Sequence, residues 1–438
     1  VPPDQIGTSL SKPHVLPNGA ATFRELYGPE DAEIVAAGAR YRTLREILQQ
    51  EWGEGEPVFF SSPGRTELGG NHTDHHLGRV LAASVHLDTI AATHAADDGR
   101  IVIRSEGYAE PIAIELCDLA PRVPEQGTST ALLRGVASAF RERGLALGAF
   151  RAAVATNVLV GSGLSSSASF EVLLGTVLNV LFNNGSIPPA TIARIGQQAE
   201  NGHFGKPCGL MDQLACATGG ALLMDFSTPD APAVTPVPFA PEKDGYALLV
   251  VDSGGKHTDL TGEYAAIPRE MRSVARVFGK EFCRDVPAAT LLAALPFARQ
   301  RTGDRAVLRA LHFAREQERV LRQADALGRH DMKGFLEGVR ASGASSFRLL
   351  QNCIPPGDGT HQALPLALAL ADDFVSAAGD GACRVHGGGF AGTIQVYIRD
   401  NAVREFTSMM EQIFGPSSVT PLRIRSRGAT VVAVPASS

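Results

Sequence analysis

The stretch Gly161-Ser162-Gly163-Leu164-Ser165-Ser166-Ser167-Ala168 pairs two glycines with a run of hydroxyls. It lies between an alternating segment, Phe150 to Thr156, and an apolar one, Phe170 to Phe182. Those patterns read as a strand and a buried helix. Strand, glycine turn, serine run and helix make an anion site. Glycines let the backbone approach a phosphate, serines supply caps and hydroxyl donors, and a helix N-terminus adds free N–H groups and a positive dipole end. The plain alternative is a capped helix start. No Lys-Ser/Thr follows the glycines, which excludes a Walker A loop, and Ser166 stands where a dinucleotide fingerprint has its third glycine.

Other constellations could carry chemistry with it. Arg65 to His76 is dense in polar groups, including Asn71, His72, Asp74, His75 and His76. Three histidines and an acid suggest a metal, but neighbouring loop side chains rarely converge on one ion, and common zinc spacings are missing. A solvated loop and a site for a hydroxyl-rich ligand are the other readings, since carboxylate, imidazole and amide groups suit the latter. Further on, Glu200 is followed twelve residues later by Asp212, within Cys208-Gly209-Leu210-Met211-Asp212-Gln213. On its own, Asp212 reads as a carboxylate at a helix start. Gly387-Gly388-Gly389, between two expected strands, allows close backbone approach to a ligand. Tyr264 reads on its own as a helix-start aromatic in the core.

These groups need elements to hold them. Helices are expected over Asp31–Gln50, Thr128–Gly144, Pro188–Glu200, Cys208–Ala217 and Ala402–Phe414, with more from Gly262 to about Leu350. Val58-Phe59-Phe60 reads as a short strand ending at Ser62-Pro63-Gly64, with non-periodic chain from Arg65 to Gly78. Strand patterns follow at Val80–Thr93, Ala221–Phe226, Tyr246–Val251, Ala382–Val385, Thr393–Ile398 and Thr430–Val434. Asp98-Gly99 reads as the turn of a hairpin leading into Ile101-Val102-Ile103. Residues 1–20 look like an irregular lead-in, and the proline-rich piece Pro229 to Pro241 like a linker. Strands and helices without strict alternation indicate an α+β fold.

At 438 residues the chain has room for two domains, and 44% hydrophobic with 20% charged residues is ordinary for a globular protein. A net charge of −6 gives no basic field, so neither nucleic acid nor a membrane is expected as a partner. No apolar run approaches the roughly 18 residues of a membrane span. Val1-Pro2-Pro3-Asp4 lacks a charged-then-apolar leader, and the six scattered cysteines form no Cys-x-x-Cys pair. Free thiols in a reducing cytoplasm are therefore expected.

The glycine–serine stretch resembles the phosphate loop of the GHMP small-molecule kinases, Pro-x-Gly-x-Gly-Leu-Ser-Ser-Ser-Ala, with Leu159 in the proline's place. The histidine-rich segment looks like the galactokinase sequence Gly-Arg-x-Asn-x-Ile-Gly-Glu-His-Thr-Asp-Tyr. Gly64, Arg65, Gly70, His72, Thr73 and Asp74 match it, whereas Glu67, Gly69, Asn71 and His75 depart. Cys208 to Gln213 is similar to Cys-Gly-Ile-Met-Asp-Gln of that family, and His386 to Gly392 to its Thr-Gly-Gly-Gly-Phe-Gly-Gly, with His386 and Ala391 as departures.

The resemblance implies a two-domain GHMP kinase fold, residues 1–230 forming the N-terminal and 231–438 the C-terminal domain, with the active site between them. It implies an ATP-dependent sugar 1-kinase that phosphorylates the C1 hydroxyl of galactose. Asp212 would be the base and Arg65 its electrostatic partner. Asn71, His72, Asp74, Tyr264 and Gly209 would bind sugar, and Gly161 to Ala168 would bind ATP. Ser167 and Glu200 would hold Mg²⁺. The resemblance leaves oligomeric state open. A galactose/ATP-binding sensor without activity is the alternative from another class. A second alternative comes from Asn71, which stands where galactokinases have a glutamate addressing C6. There it would either accept the C6 hydroxyl or offer an N–H to a C6 carboxylate such as that of galacturonate, with a protonated His72 pairing with that acid.

Overall fold

The computed structural model describes residues 19–53, 55–159, 161–254, 260–354, 359–390 and 392–435. Most of the expected lead-in, and Ala391, lie outside them. In chain order the strands are β1 (Val58–Gly69), β2 (Arg79–Ala96), β3 (Arg100–Ser105), β4 (Ile112–Glu115), β5 (Ala149–Thr156), β6 (Ala221–Asp225), β7 (Ala233–Val237), β8 (Tyr246–Asp252), β9 (Ala382–Val385), β10 (Thr393–Arg399), β11 (Val419–Leu422) and β12 (Thr430–Val432). They form two sheets. The larger runs β12-β1-β2-β5-β3-β4, with β6 also on β2 and β7 on β6; the smaller is β11-β8-β10-β9. Among the named strands of the described residues, β3 and β5 are the pair that runs parallel. Helices Ser129–Glu142, Ser166–Asn183, Pro189–Ala199 and Met211–Thr218 supply apolar residues to the larger sheet's core, where Phe60, Phe140, Phe150, Leu178 and Leu214 are buried. The class is α+β, as expected.

Four local expectations are corrected. β1 does not stop at Ser62-Pro63-Gly64 but continues to Gly69, with register shifts at Pro63/Arg65 and Glu67/Gly69. Proline has no N–H for the ladder, and the Arg65 N–H goes to the Leu164 carbonyl at 3.0 Å. From Phe59 onward the strand is buried on both faces, so no period of two marks it. The Asp98-Gly99 turn exists, with Gly99 at φ 74°, but β2 and β3 do not pair, because β5 lies between them. β3 forms its antiparallel ladder with β4 instead. Part of the expected linker is β7, an edge strand that holds Pro236 where a missing donor costs nothing. The helix expected from Cys208 starts at Met211, leaving Cys208 and Gly209 in the approach to it. The final strand, β12, returns from the C-terminal end of the chain to pair with β1.

Candidate active site

Arg65 lies on the bulged part of β1, and Asp212 in the first turn of Met211–Thr218. The Arg65 guanidinium meets the Asp212 carboxylate with both prongs, Nε to Oδ1 and Nη2 to Oδ2, at 2.8 Å each. Its third nitrogen, Nη1, donates to the Gly163 carbonyl, and the Ser165 hydroxyl donates to Asp212 Oδ2. The carboxylate is thus fixed against the glycine–serine loop. Burial pushes the Asp212 carboxyl up, but Arg65, the Ser165 hydroxyl and Lys206 outweigh it and hold it below its usual value. Its side chain keeps 31% of its surface open, enough to meet a ligand.

The loop holds an unusual backbone. Ser165, just before helix Ser166–Asn183, sits in the left-handed region at φ 61°, a costly conformation for a residue with a side chain. Its other side is braced by the smaller sheet. The Ser162 carbonyl accepts from Thr393 Oγ1 at 2.6 Å and from His386 Nδ1 at 3.1 Å. His386 Nε2 in turn accepts from Thr66 Oγ1 at 3.0 Å, and Thr66 accepts from Gln395 Nε2 at 2.7 Å. Burial pushes the His386 imidazole down to about 3, so it is neutral, and this chain fixes its tautomer.

In the first turn of helix Ser166–Asn183, Ser167 Oγ donates to Glu200 Oε1 at 3.1 Å, an oxygen also reached by Lys206 Nζ at 3.2 Å. Glu200 opens a short π-helical turn, Glu200–Phe204, where the helix expected through Glu200 changes its winding. The Gln213 amide bridges Glu200 Oε2 and Glu171 Oε2, both at 2.9 Å. Burial, then the nearby Glu200, push the Glu171 carboxyl well above its usual value. Glu171 Oε1 and Gln213 Oε1 are buried without a hydrogen-bond partner. Oxygen donors alone suit a hard cation such as Mg²⁺, which takes one or two protein oxygens and completes its shell with phosphate and water. Among the described residues no three or more His, Cys, Asp or Glu could hold an ion unaided. The histidine-rich segment forms no such group.

That segment instead lies between the Asp212 loop and the triple-glycine loop. Asp74 packs so tightly on Gly209 that a Cβ there would fall 1.7 Å from Asp74 Oδ2. His72, at φ 54°, contacts the Gly388 carbonyl through Nε2 at 2.9 Å, and the Tyr264 hydroxyl donates to the Gly389 carbonyl at 2.9 Å. Burial, then His75, push the His72 imidazole down to about 4, away from the charged form that pairing with an acid would need. Asn71 is fully buried and its amide is taken up within the protein. Nδ2 donates to Glu67 and to the Gly387 carbonyl (2.7 Å), while Oδ1 accepts from Asn352 (2.9 Å) and Ser346 (3.3 Å). Glu67 is in turn paired with buried Arg384 at 2.5 Å.

Arg65, Asp212, Ser165, Ser167 and Glu200 thus stand together, with Asp74 against Gly209 on the approach to Asp212 and with His72 and Tyr264 on the triple-glycine loop. Sequence reasoning missed Glu171, Gln213 as a bridge, Lys206, Asn352 and His386 as a loop brace. Glu171 left one signal, an acid four residues after Ser167 in an otherwise apolar helix.

The N-terminal domain of the GHMP kinases matches residues 131–220, and the galactokinase galactose-binding signature matches residues 48–95. A galactokinase from Streptomyces coelicolor is 33% identical over 388 residues, covering 87% of this chain and 95% of that protein. Human galactokinase is 31% identical over 413 residues, covering 92% and 98%. Among solved structures, Lactococcus lactis galactokinase complexed with galactose superposes with a TM-score of 0.78 at 23% identity, over 89% of this chain and 99% of that one. The fold is that of the GHMP kinases, and on these matches the chain belongs to the galactokinase family.

Proposed function

We propose that this sugar kinase transfers the γ-phosphoryl group of ATP to the C1 hydroxyl of galactose, giving galactose 1-phosphate and ADP. The observation that carries the reading is the two-pronged Arg65–Asp212 pair set against the glycine–serine loop. Loop N–H groups and serine hydroxyls from Gly161 to Ala168 receive the phosphates. Asp212 accepts the C1 hydroxyl and orients its oxygen toward phosphorus. A carboxylate held below its usual pKa is a weak base, but phosphoryl transfer asks mainly for position and charge, so Asp212 collects the proton late in the transfer. Arg65 keeps Asp212 ionised and sets positive charge beside the transferred group. Asp74, His72, Tyr264 and the close backbone at Gly209 hold the sugar.

Ser167 and Glu200 are the residues that would hold Mg²⁺, and their oxygens fit it. When bound, the ion neutralises charge on the ATP phosphates. The Gln213 bridge to Glu171 fixes the Glu200 rotamer for that task. We keep residues 1–230 and 231–438 as the two domains, with β7 and β12 of the second stretch joining the first sheet. Six free cysteines support a reducing compartment, and we place the protein in the cytoplasm. No helix among the described residues is long and apolar enough to cross a membrane. Galacturonate is the weaker acceptor on this reading, because His72 is neutral and Asn71 has no uncommitted N–H for a C6 carboxylate.

The test is ADP release with a sugar panel, and phosphorus NMR to locate the phosphate. Galactose is expected to give the highest kcat/KM and a C1 phosphate. Asp212→Asn is expected to bind ATP normally and lose turnover by about two to four orders of magnitude. Galactose and ATP binding without ADP release would instead identify a sensor.

A further inference from the structure

Helix Thr261–Val277 carries Arg269, Arg272 and Arg276 at spacings of three and four, which places them on one face. Helix Leu295–Thr302 brings Arg301 to the same face. With Ser273, Val277 and Thr302 these four arginines line an open groove of about 510 Å³, and no carboxylate lines it. The surrounding arginines are matched. Arg305 and Arg309 both pair with Glu270, Arg299 with Asp304, and Arg284 with Asp225. Among the described residues, no Asp or Glu pairs with any of the four in the groove. Arg272 Nε is buried without a hydrogen-bond partner. Aromatic rings support two of the guanidinium groups, Phe282 beneath Arg272 at 5.8 Å and Phe297 beneath Arg301 at 5.1 Å.

A helix C-terminus favours a nearby cation, which accounts for Arg276 or Arg301 taken singly. It does not account for four that converge, because like charges three and four residues apart repel. The net charge of −6 shows that the groove is a local inversion rather than a general basic surface. Supported guanidinium forks match phosphate oxygens two at a time. The groove's bounded size, and the acidic character of the whole chain, favour a small anion over a long polymer. The groove's lining shares no residue with the sugar segment or the glycine–serine loop, and Arg276 lies twelve residues beyond Tyr264, roughly 18 Å along the helix.

We propose that this groove is a second anion site, separate from the glycine–serine loop, which takes a small molecule bearing more than one phosphate group. The test is equilibrium dialysis of the full chain with labelled inorganic pyrophosphate at low salt, native against R272Q/R276Q/R301Q. The variant is expected to lose one bound equivalent, or to bind it at least tenfold more weakly, while kcat and the KM for ATP stay within twofold of native. A triple lysine variant keeps the charge without the forks and is expected to fall between the two. R276Q alone, at an exposed position, gives a smaller loss in the same direction should the triple variant fold poorly. Equal pyrophosphate binding by native and variant overturns the proposal. So does a parallel rise in the KM for ATP, which would assign these arginines to the catalytic nucleotide. Retention of the native chain on heparin with no pyrophosphate bound also overturns it, in favour of a polyanionic macromolecule.

Discussion

Replacing Gly209 by alanine isolates the contact between the Asp212 loop and the sugar segment. The backbone of Gly209 lies outside the left-handed region, so alanine adds no conformational strain there; what it adds is one carbon. That carbon would stand 1.7 Å from Asp74 Oδ2 and 2.4 Å from Asp74 Cγ, whereas a relaxed contact needs roughly 3.3 Å. The carboxylate must then retreat by roughly 1.5 Å, or the loop bearing Asp212 must move by as much. A displacement of about 1 Å in a group that positions substrate costs on the order of 10²-fold, equivalent to about 2.7 kcal/mol of transition-state stabilisation. Gly209→Ala is therefore expected to lower kcat/KM for galactose about 100-fold, with the KM for ATP within twofold of native. Steady-state kinetics should be run in the native background and in Asp74→Ala. If the methyl acts by evicting Asp74, it costs less than about threefold once Asp74 is already gone. Native-like galactose kinetics for Gly209→Ala, or an equal loss in both backgrounds, would refute the reasoning.

Two further outcomes are expected. Asp88 is fully buried and accepts from Tyr27 (2.7 Å), Arg40 (2.8 Å), Ser61 (2.5 Å) and Arg425 (3.4 Å), so Asp88→Asn, which leaves two arginines uncompensated, should cost about 3–5 kcal/mol in denaturant unfolding. Burial pushes the Asp88 carboxyl up, but Arg40 and Arg425 prevail and hold it below its usual value, so its contribution is complete above about pH 4 and is lost as the pH falls through the folded-state pKa. A native-minus-variant difference that fails to shrink on acidification below that point would contradict the assignment. Ser167→Ala and Glu200→Ala should each raise the Mg²⁺ concentration for half-maximal activity about tenfold and leave the galactose KM unchanged; a galactose KM that moves while the Mg²⁺ dependence does not would count against these ligands.

The parts of the site legible in the sequence are those whose chemistry demands contiguous residues. A loop that presents N–H groups and hydroxyls to phosphate must be built from neighbours, so Gly161 to Ala168 stood out, and the Glu200-to-Asp212 spacing fixed two more groups through family resemblance. What escaped was set by partners far away in the chain. β1 is buried on both faces, which erased its alternation beyond Pro63. Ile101 to Ile103 read as the second half of a hairpin because nothing local reveals that β5 inserts between the strands. Asn71 looked free to address a ligand, but its amide is occupied by Glu67, Gly387, Ser346 and Asn352, three of them more than two hundred positions away. His386, a departure from the family's threonine, becomes intelligible only beside Thr66 and Ser162.

The return of β12 to β1 bears on how the chain is made. Phe59 pairs with Val432, and the buried Asp88 with Arg425, so these residues wait for partners more than about three hundred positions later. During synthesis at about 5–20 residues per second, β1 emerges before β12, and its outer edge stays open for about the next 370 residues. An unpaired, largely apolar edge such as Val58-Phe59-Phe60 invites pairing with the wrong strand or with another chain. Contacts of such long range also slow folding, because loop closure must precede the gain they bring. A chain in which β12 has not yet formed is thus exposed to aggregation, and Arg425 and β12 act as a latch that removes that hazard.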